Sequence, residues 1–274
     1  MLAKSGYTGD AVEAARIVLL ELTRLLGQYR DDIVLIGGWV PELLCPEAES
    51  PHTGSIDVDL ALNHRTLQDA GYRTIQQLLL AHGYQEGSQP FVFHRVVKVN
   101  GRDITVEVDF LAGESEGTGP GHRTQKVQGI RARKARGCDL AFEMSTEVTI
   151  QGTLPGGAKD SAMVRVATIV PFIVMKGMAL HDRLKAKDAY DIYYCLCNYP
   201  GGLDSVVESF LPHLENPLVQ EGLKKIAEKF VSPAHTGPKA VAAFEGIEDA
   251  EARAQLERDA YERVTFLLER LKIK

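Results

Sequence analysis

The chain predicts an α+β fold: a mixed β-sheet with flanking helices over residues 1–170, then a helical domain over 171–274. Short apolar runs of two-residue period alternate with amphipathic stretches in the first part. Asn100-Gly101 sits between two such runs, the preferred pair for a hairpin turn. From Pro171 onward only helical patterns appear.

Asp10 to Gln28 reads as an amphipathic helix, with Asp10 as cap and Glu13 three residues on. Val12, Ile17, Leu20, Leu22, Leu25 and Leu26 form its apolar stripe. Ile33 to Ile36 is a buried strand ending at Gly37-Gly38, and Trp39 to Leu44 starts a helix with Pro41 in its first turn. Cys45 to Gly54 is a polar loop. Ile56 to Leu62 is a strand, and Leu67 to His82 a helix closed by Gly83. Phe91 to Val99 and Asp103 to Leu111 are the hairpin arms. Gly113 to Gly137 is glycine-rich and poor in apolar residues, which predicts a long loop continuing into a basic strand. Leu140 to Ile150 and Met163 to Ile169 are further strands. The helices are Pro171–His181, Lys185–Asn198, Leu203–Leu214, Pro217–Phe230 and Glu248–Leu271, with a Pro/Gly break over Ser232–Pro238.

The bulk numbers fit an ordinary globular protein: 274 residues, 45% hydrophobic and 25% charged. A formal net charge of -6 argues against a uniformly basic nucleic-acid coat and leaves room for a local basic patch. Four cysteines are too few for a disulfide scaffold, and Cys195-Leu196-Cys197 is not a zinc spacing, so all four are expected as thiols. There is no signal-peptide core and no apolar run of membrane-spanning length. The expectation is a soluble, cytoplasmic protein with no membrane partner.

Asp57 and Asp59 stand two apart inside an apolar strand, so both carboxylates point to one face. Ile56, Val58 and Leu60 face the other way. Like charges this close call for a cation, most simply a divalent ion with oxygen ligands. In the second hairpin arm Ile104, Val106, Val108 and Phe110 share one face, and Thr105, Glu107 and Asp109 the other. Asp57, Asp59 and a third acid therefore suit Mg2+ or Mn2+ bound with a triphosphate. Periodicity leaves that third acid open between Glu107 and Asp109. Gly37 and Gly38 would let phosphates approach backbone N–H groups, and Ser55 would donate to a phosphate oxygen.

Lys176, Arg183, Lys185, Lys187, Asp188 and Asp191 form a second constellation at helical spacing. Its cations suit a triphosphate, and its acids a general base or an orienting role for Arg183. Surface ion pairing is the bland alternative. Third, Arg123, Lys126, Arg131, Arg133, Lys134 and Arg136 run without an intervening acid and are candidates for tracking an RNA backbone. A solvated loop is the alternative there.

The ordered set Gly37-Gly38, Ser55-x-Asp57-x-Asp59-Leu60, Val108-Asp109 and Lys176-x6-Arg183-x3-Lys187-Asp188-x2-Asp191-Ile192 resembles the AbiEii-type nucleotidyltransferases. These belong to the DNA polymerase β-like superfamily, and many are toxins of bacterial toxin–antitoxin pairs. The resemblance covers roughly residues 30 to 195. It implies a nucleotidyltransferase fold for residues 1–170. Gly37, Gly38 and Ser55 would bind triphosphate, and Asp57, Asp59 and Asp109 would be metal-binding catalytic acids. Lys176, Arg183, Lys187 and Asp191 would contact or support nucleotide, with Lys176 and Asp188 also in the chemistry. The stretch between Gly38 and Ser55 departs from the pattern: it is long and carries Pro46, Pro51 and His52, and His52 reads as a loop histidine.

The implied activity is transfer of a nucleoside monophosphate from an NTP such as ATP or GTP to an acceptor. The acceptor would be RNA, tRNA above all, with an antitoxin protein as a further partner. Two alternatives stand beside it. A small-molecule nucleotidyltransferase of the aminoglycoside-modifying kind would need an acidic acceptor pocket. A non-catalytic RNA- or protein-binding module would bind neither metal nor NTP.

Overall fold

The computed structural model describes residues 3–67, 74–114 and 124–273. The fold is mixed α+β, with an open sheet of both parallel and antiparallel strands and flanking helices. The chain forms two compact units: Tyr7–Val40 with Gly54–Thr168, and Pro41–Thr53 with the residues from Ile169 on and the N-terminal residues up to Gly6.

In the first unit α1, Gly9–Leu25, is capped by Thr8, whose hydroxyl accepts from the Ala11 amide at 3.3 Å. Asp10 lies inside the first turn and accepts instead from the Asn100 amide at 2.8 Å. The hydroxyl one turn from Ala11 is better placed to cap than the acid predicted for that role. Then follow β1 (Ile33–Ile36) and a 3₁₀ turn over Gly37–Trp39; α2 (Val40–Leu44) passes into the second unit, and the chain returns to the first with β2 (Asp57–Leu62) and α3 (Ile75–Ala81). A Thr74–Gln77 capping box starts α3 late, and part of the helix expected from Leu67 lies outside the described residues. Next come β3 (Gln85–Glu86), β4 (Val92–Val99) and β5 (Arg102–Ala112). Asn100 and Gly101 carry φ of 49° and 79°, the left-handed pair that a type I′ turn requires.

The predicted long loop holds a second hairpin, β6 (Thr124–Val127) and β7 (Ile130–Lys134). Its turn, Gln128-Gly129, has the same left-handed pair, φ 49° and 84°. Glutamine rarely takes that position, so the sequence lacks the usual Asn or Asp signal. Gln128 is held there by weak bonds to the Tyr29 hydroxyl and the Leu67 carbonyl, both at 3.4 Å. Leu140–Glu143 is a short helix, α4, and the strand begins only at Ser145: β8 is Ser145–Thr153 and β9 Lys159–Ala167. A short apolar run does not distinguish helix from strand by period, which explains that misplaced start.

Among the described residues nine strands join one sheet, in the order β3-β4-β5-β2-β1-β9-β8, with β7 pairing β5 and β6 pairing β7. The β2–β5 and β1–β9 pairs are parallel, and β1–β2 antiparallel. Helix α1 covers one face. Its Glu21 takes Arg95 of β4 in a two-pronged bond at 2.8 and 2.9 Å and the Tyr84 hydroxyl at 2.7 Å. Phe93, Val106, Val108 and Phe110 share that face and are buried. Phe93 and Phe110 meet edge to face at 5.7 Å.

The second unit contains α5 (Ile169–Arg183), α6 (Ala186–Asn198), α7 (Gly202–Phe210), α8 (Pro217–Lys229), α9 (Thr236–Glu245) and α10 (Ala250–Arg270). Helices α5 and α8 pack through glycine: a Cβ on Gly177 would lie 2.7 Å from the Gly222 carbonyl oxygen. Helix α9 begins inside the predicted Pro/Gly break. Pro238 sits in its first turn, where a missing N–H costs no helical bond.

Candidate functional site

The antiparallel β1–β2 register puts Ile36 beside Asp59, and the parallel β2–β5 register puts Asp59 beside Asp109 and Asp57 beside Glu107. Paired residues share a face, so the four acids form two adjacent rows. That face is opposite the one α1 covers, because Val58 and Val108 alternate with the acids and are fully buried. Both third-acid candidates are therefore on the acid face. Asp109 is half-buried and level with Asp59. Glu107 is exposed, level with Asp57, and has His94 of β4 at 3.7 Å.

The glycine turn touches the acids directly. Gly37 has φ +73°, and a Cβ there would lie 2.6 Å from the Asp59 carboxyl carbon. Only glycine suits that backbone and leaves the carboxylate its room. The chain's single tryptophan pins the same turn: buried Trp39 donates its indole N–H to the Asp57 backbone carbonyl at 2.8 Å. The Arg16 guanidinium covers the Trp39 ring at 5.2 Å. Gly38 is buried in the turn. Ser55 is buried and donates its hydroxyl to Asp57. The helix that follows is only the 3₁₀ turn and the five residues of α2, so any anion affinity here comes from local N–H groups and not from a long helix dipole.

Among the described residues no three His, Cys, Asp or Glu side chains form a group ready to hold a metal ion. The acids line a face. That donor set still fits magnesium, which usually takes one or two carboxylates and completes its shell with water and substrate phosphates. Asp57 and Asp59 are the natural first ligands, with Asp109 next to them.

The second constellation is a buried ionic network within the helical unit. Lys176 of α5 bonds Asp188 at 2.9 Å and Asp191 at 2.7 Å, both on α6. Arg183 grips Asp188 with two N–H groups, at 2.9 and 3.0 Å. Lys187 reaches both Asp191 oxygens, at 2.9 and 3.2 Å. His52, expected as a loop histidine, is buried and bonds Asp191 at 3.0 Å, stacked on Tyr190. An ionised carboxylate only accepts, so His52 Nε2 carries the proton and donates. Burial works to raise the Asp188 and Asp191 carboxyls, yet Lys176, with Arg183 on one and Lys187 on the other, holds both below the ordinary carboxylate range. Burial likewise works against the Lys176 charge, and the two aspartates outweigh it. For His52 burial dominates, and the imidazole is pushed down, toward the neutral form.

Asp188 has both oxygens engaged, by Lys176 and Arg183, the contact that an orienting role for Arg183 calls for. The surface-pairing alternative fails, because these acids are almost wholly buried. No sequence signal links His52 to α6. Only the return of the Pro41–Thr53 segment to the helical unit does so.

The six predicted RNA-contacting cations separate. Arg123 lies outside the described residues. Lys126 pairs in register with Arg131, and Arg133 with Leu111 of β5. Lys134 falls on the alternate face, level with Ala112, and Arg136 is paired to Glu114 at 2.7 Å. No helix among the described residues is long and apolar enough to cross a membrane. The four cysteines are free thiols. No family model matches the chain, and no curated protein matches it significantly.

Proposed function

We propose that the protein is a metal-dependent nucleotidyltransferase, transferring a nucleoside monophosphate from an NTP to an acceptor hydroxyl. The observation that carries the proposal is the placement of Asp57, Asp59 and Asp109 on adjacent paired strands, with Gly37 packed against Asp59 and Ser55 bonded to Asp57. The resemblance to AbiEii-type enzymes rests on these residues together with the Lys176–Asp191 set and favours an RNA acceptor, tRNA in particular. It also suggests the setting of a toxin with its antitoxin.

Asp57 and Asp59 would hold Mg2+ or Mn2+, which would supply charge neutralisation on the triphosphate. The backbone N–H groups of the Gly37–Gly38 turn would position the phosphates, and Ser55 keeps the Asp57 carboxylate oriented. The acceptor oxygen attacks the α-phosphorus while Asp109 takes its proton. The α–β phosphoanhydride bond breaks, and pyrophosphate leaves in line. Catalysis in this scheme is positioning and electrostatics. The ionic network of α5 and α6 has a structural role within its own unit.

The test is NTP labelling of total RNA with Asp57→Asn and Asp59→Asn beside the wild-type chain. Labelling should fall by about 10²-fold or more, as expected for loss of a main electrostatic contributor. Unchanged labelling with an intact fold would overturn the assignment.

A further inference from the structure

We propose that Lys126, Arg131 and Arg133, on one face of the β6–β7 hairpin, form the acceptor-docking surface, and that the acceptor is a phosphodiester strand ending in a free hydroxyl. The inference rests on the nucleotidyl-transfer reading and assigns its acceptor by charge and by position along the sheet.

Position comes from the strand registers. Ser55 precedes β2, and the Gly37–Gly38 turn follows Ile36, the partner of Asp59. Both lie at the start of β2. Asp57 and Glu107 form the first row of the acid face, Asp59 and Asp109 the second. Leu111 is two residues further along β5, on the same face, and its partner is Arg133. At about 3.3 Å per residue, the Arg133 row lies about 7 Å beyond Asp109 and about 13 Å beyond Asp57. The carboxylates thus separate the glycine turn from the basic hairpin. In-line displacement needs the leaving group and the attacking oxygen on opposite sides of the phosphorus. With the triphosphate on the turn, the acceptor arrives from the hairpin side.

Charge selects its chemistry. Thr124 and Lys126 of β6 pair with Arg133 and Arg131 of β7, so the three cations share one face. Lys126 and Arg131 are exposed and Arg133 half-buried, its guanidinium 5.4 Å over the Phe91 ring. Among the described residues none of the three has a carboxylate partner, whereas Lys176, Arg183 and Lys187 are all held by Asp188 and Asp191. A row of unneutralised cations repels a polycationic small acceptor and attracts a phosphodiester backbone.

The experiment is anisotropy titration of short labelled RNA and DNA single strands over a salt series. It uses the full chain, the double variant Lys126→Glu/Arg131→Glu at exposed positions, Arg133→Gln, and Arg136→Glu as a control. The double variant should lose at least about tenfold in strand affinity at low salt, and Arg133→Gln should weaken binding in the same direction. Three phosphate contacts account for a slope of about 2 in log K against log salt, and the variants should reduce it. Binding of Mg2+ with a non-hydrolysable NTP, and strand binding by Arg136→Glu, should not change. The RNA and DNA arms show which strand is preferred.

Wild-type affinity and slope in the hairpin variants, or no strand binding by the wild-type chain, overturns the inference. Transfer that survives Asp57→Asn instead overturns the underlying nucleotidyl-transfer reading, independently of strand binding.

Discussion

At the scale of single residues, Asp191 is fully buried and shared by Lys176, Lys187 and His52. Buried charges persist only when paired, and here each carboxylate has cations on more than one side. His52 has a measurable consequence. Its ordinary value is 6.5, and burial lowers it in the folded state. Below pH 6.5 the unfolded chain binds the proton that the folded chain refuses, so stability falls as pH falls through that window. Asp188 and Asp191 act lower, because depressed carboxyls lose their contribution only as pH drops below about 3.8. Melting between pH 7 and 5 therefore reads the histidines. His64 is also lowered by burial, so the informative quantity is the difference between the wild-type chain and His52→Gln. The variant should show the shallower decline; equal slopes would mean that folding does not lower the His52 value.

At the scale of elements, the β1–β2 connection ties a backbone turn to a functional strand. Gly37→Ala meets two obstacles, a left-handed φ and the Asp59 carboxylate. The conformation alone costs about 1–2 kcal/mol, and displacing Asp59 adds to it. Gly156→Ala meets nothing within 4 Å and has no left-handed φ, so it should be neutral or stabilising by a few tenths of a kcal/mol. Urea unfolding of both variants checks the contrast, and a harmless Gly37→Ala would mean that the turn does not need glycine. The Asn100-Gly101 hairpin was legible because its residues announce their turn. The Gln128-Gly129 hairpin was not, because Gln128 is held by Tyr29 and Leu67, residues distant in sequence.

At the scale of the whole molecule, charge is distributed against the average. A chain of net charge -6 presents acids on one stretch of its sheet face and, beyond them, cations with no carboxylate partner among the described residues. The acids form no ready metal cage among the described residues, so metal and nucleotide should bind together. Mg2+ with a non-hydrolysable NTP should raise the melting temperature more than the sum of either alone. At a free ligand level of about 100 Kd the gain is about 2.7 kcal/mol, and chelator should reverse it. An equal shift with NTP in the presence of chelator would count against magnesium-linked binding at this face.

The sequence by itself determined the α+β class, the paired acids of β2, the alternation of β5 and the helical second part, because each follows from local period and turn chemistry. Only the tertiary structure decided which cations are engaged. Lys176, Arg183 and Lys187 look as available in the sequence as Lys126, Arg131 and Arg133 do. Helix packing brings Asp188 and Asp191 onto Lys176 and buries His52 beside them, Arg183 and Lys187 pair with the same acids at close range in sequence, and strand pairing aligns the other three on the face of Asp59 and Asp109. The Lys187–Asp191 pair is one helical turn and follows from local spacing, whereas the Lys176 and His52 contacts and the strand partners come from long-range packing and register.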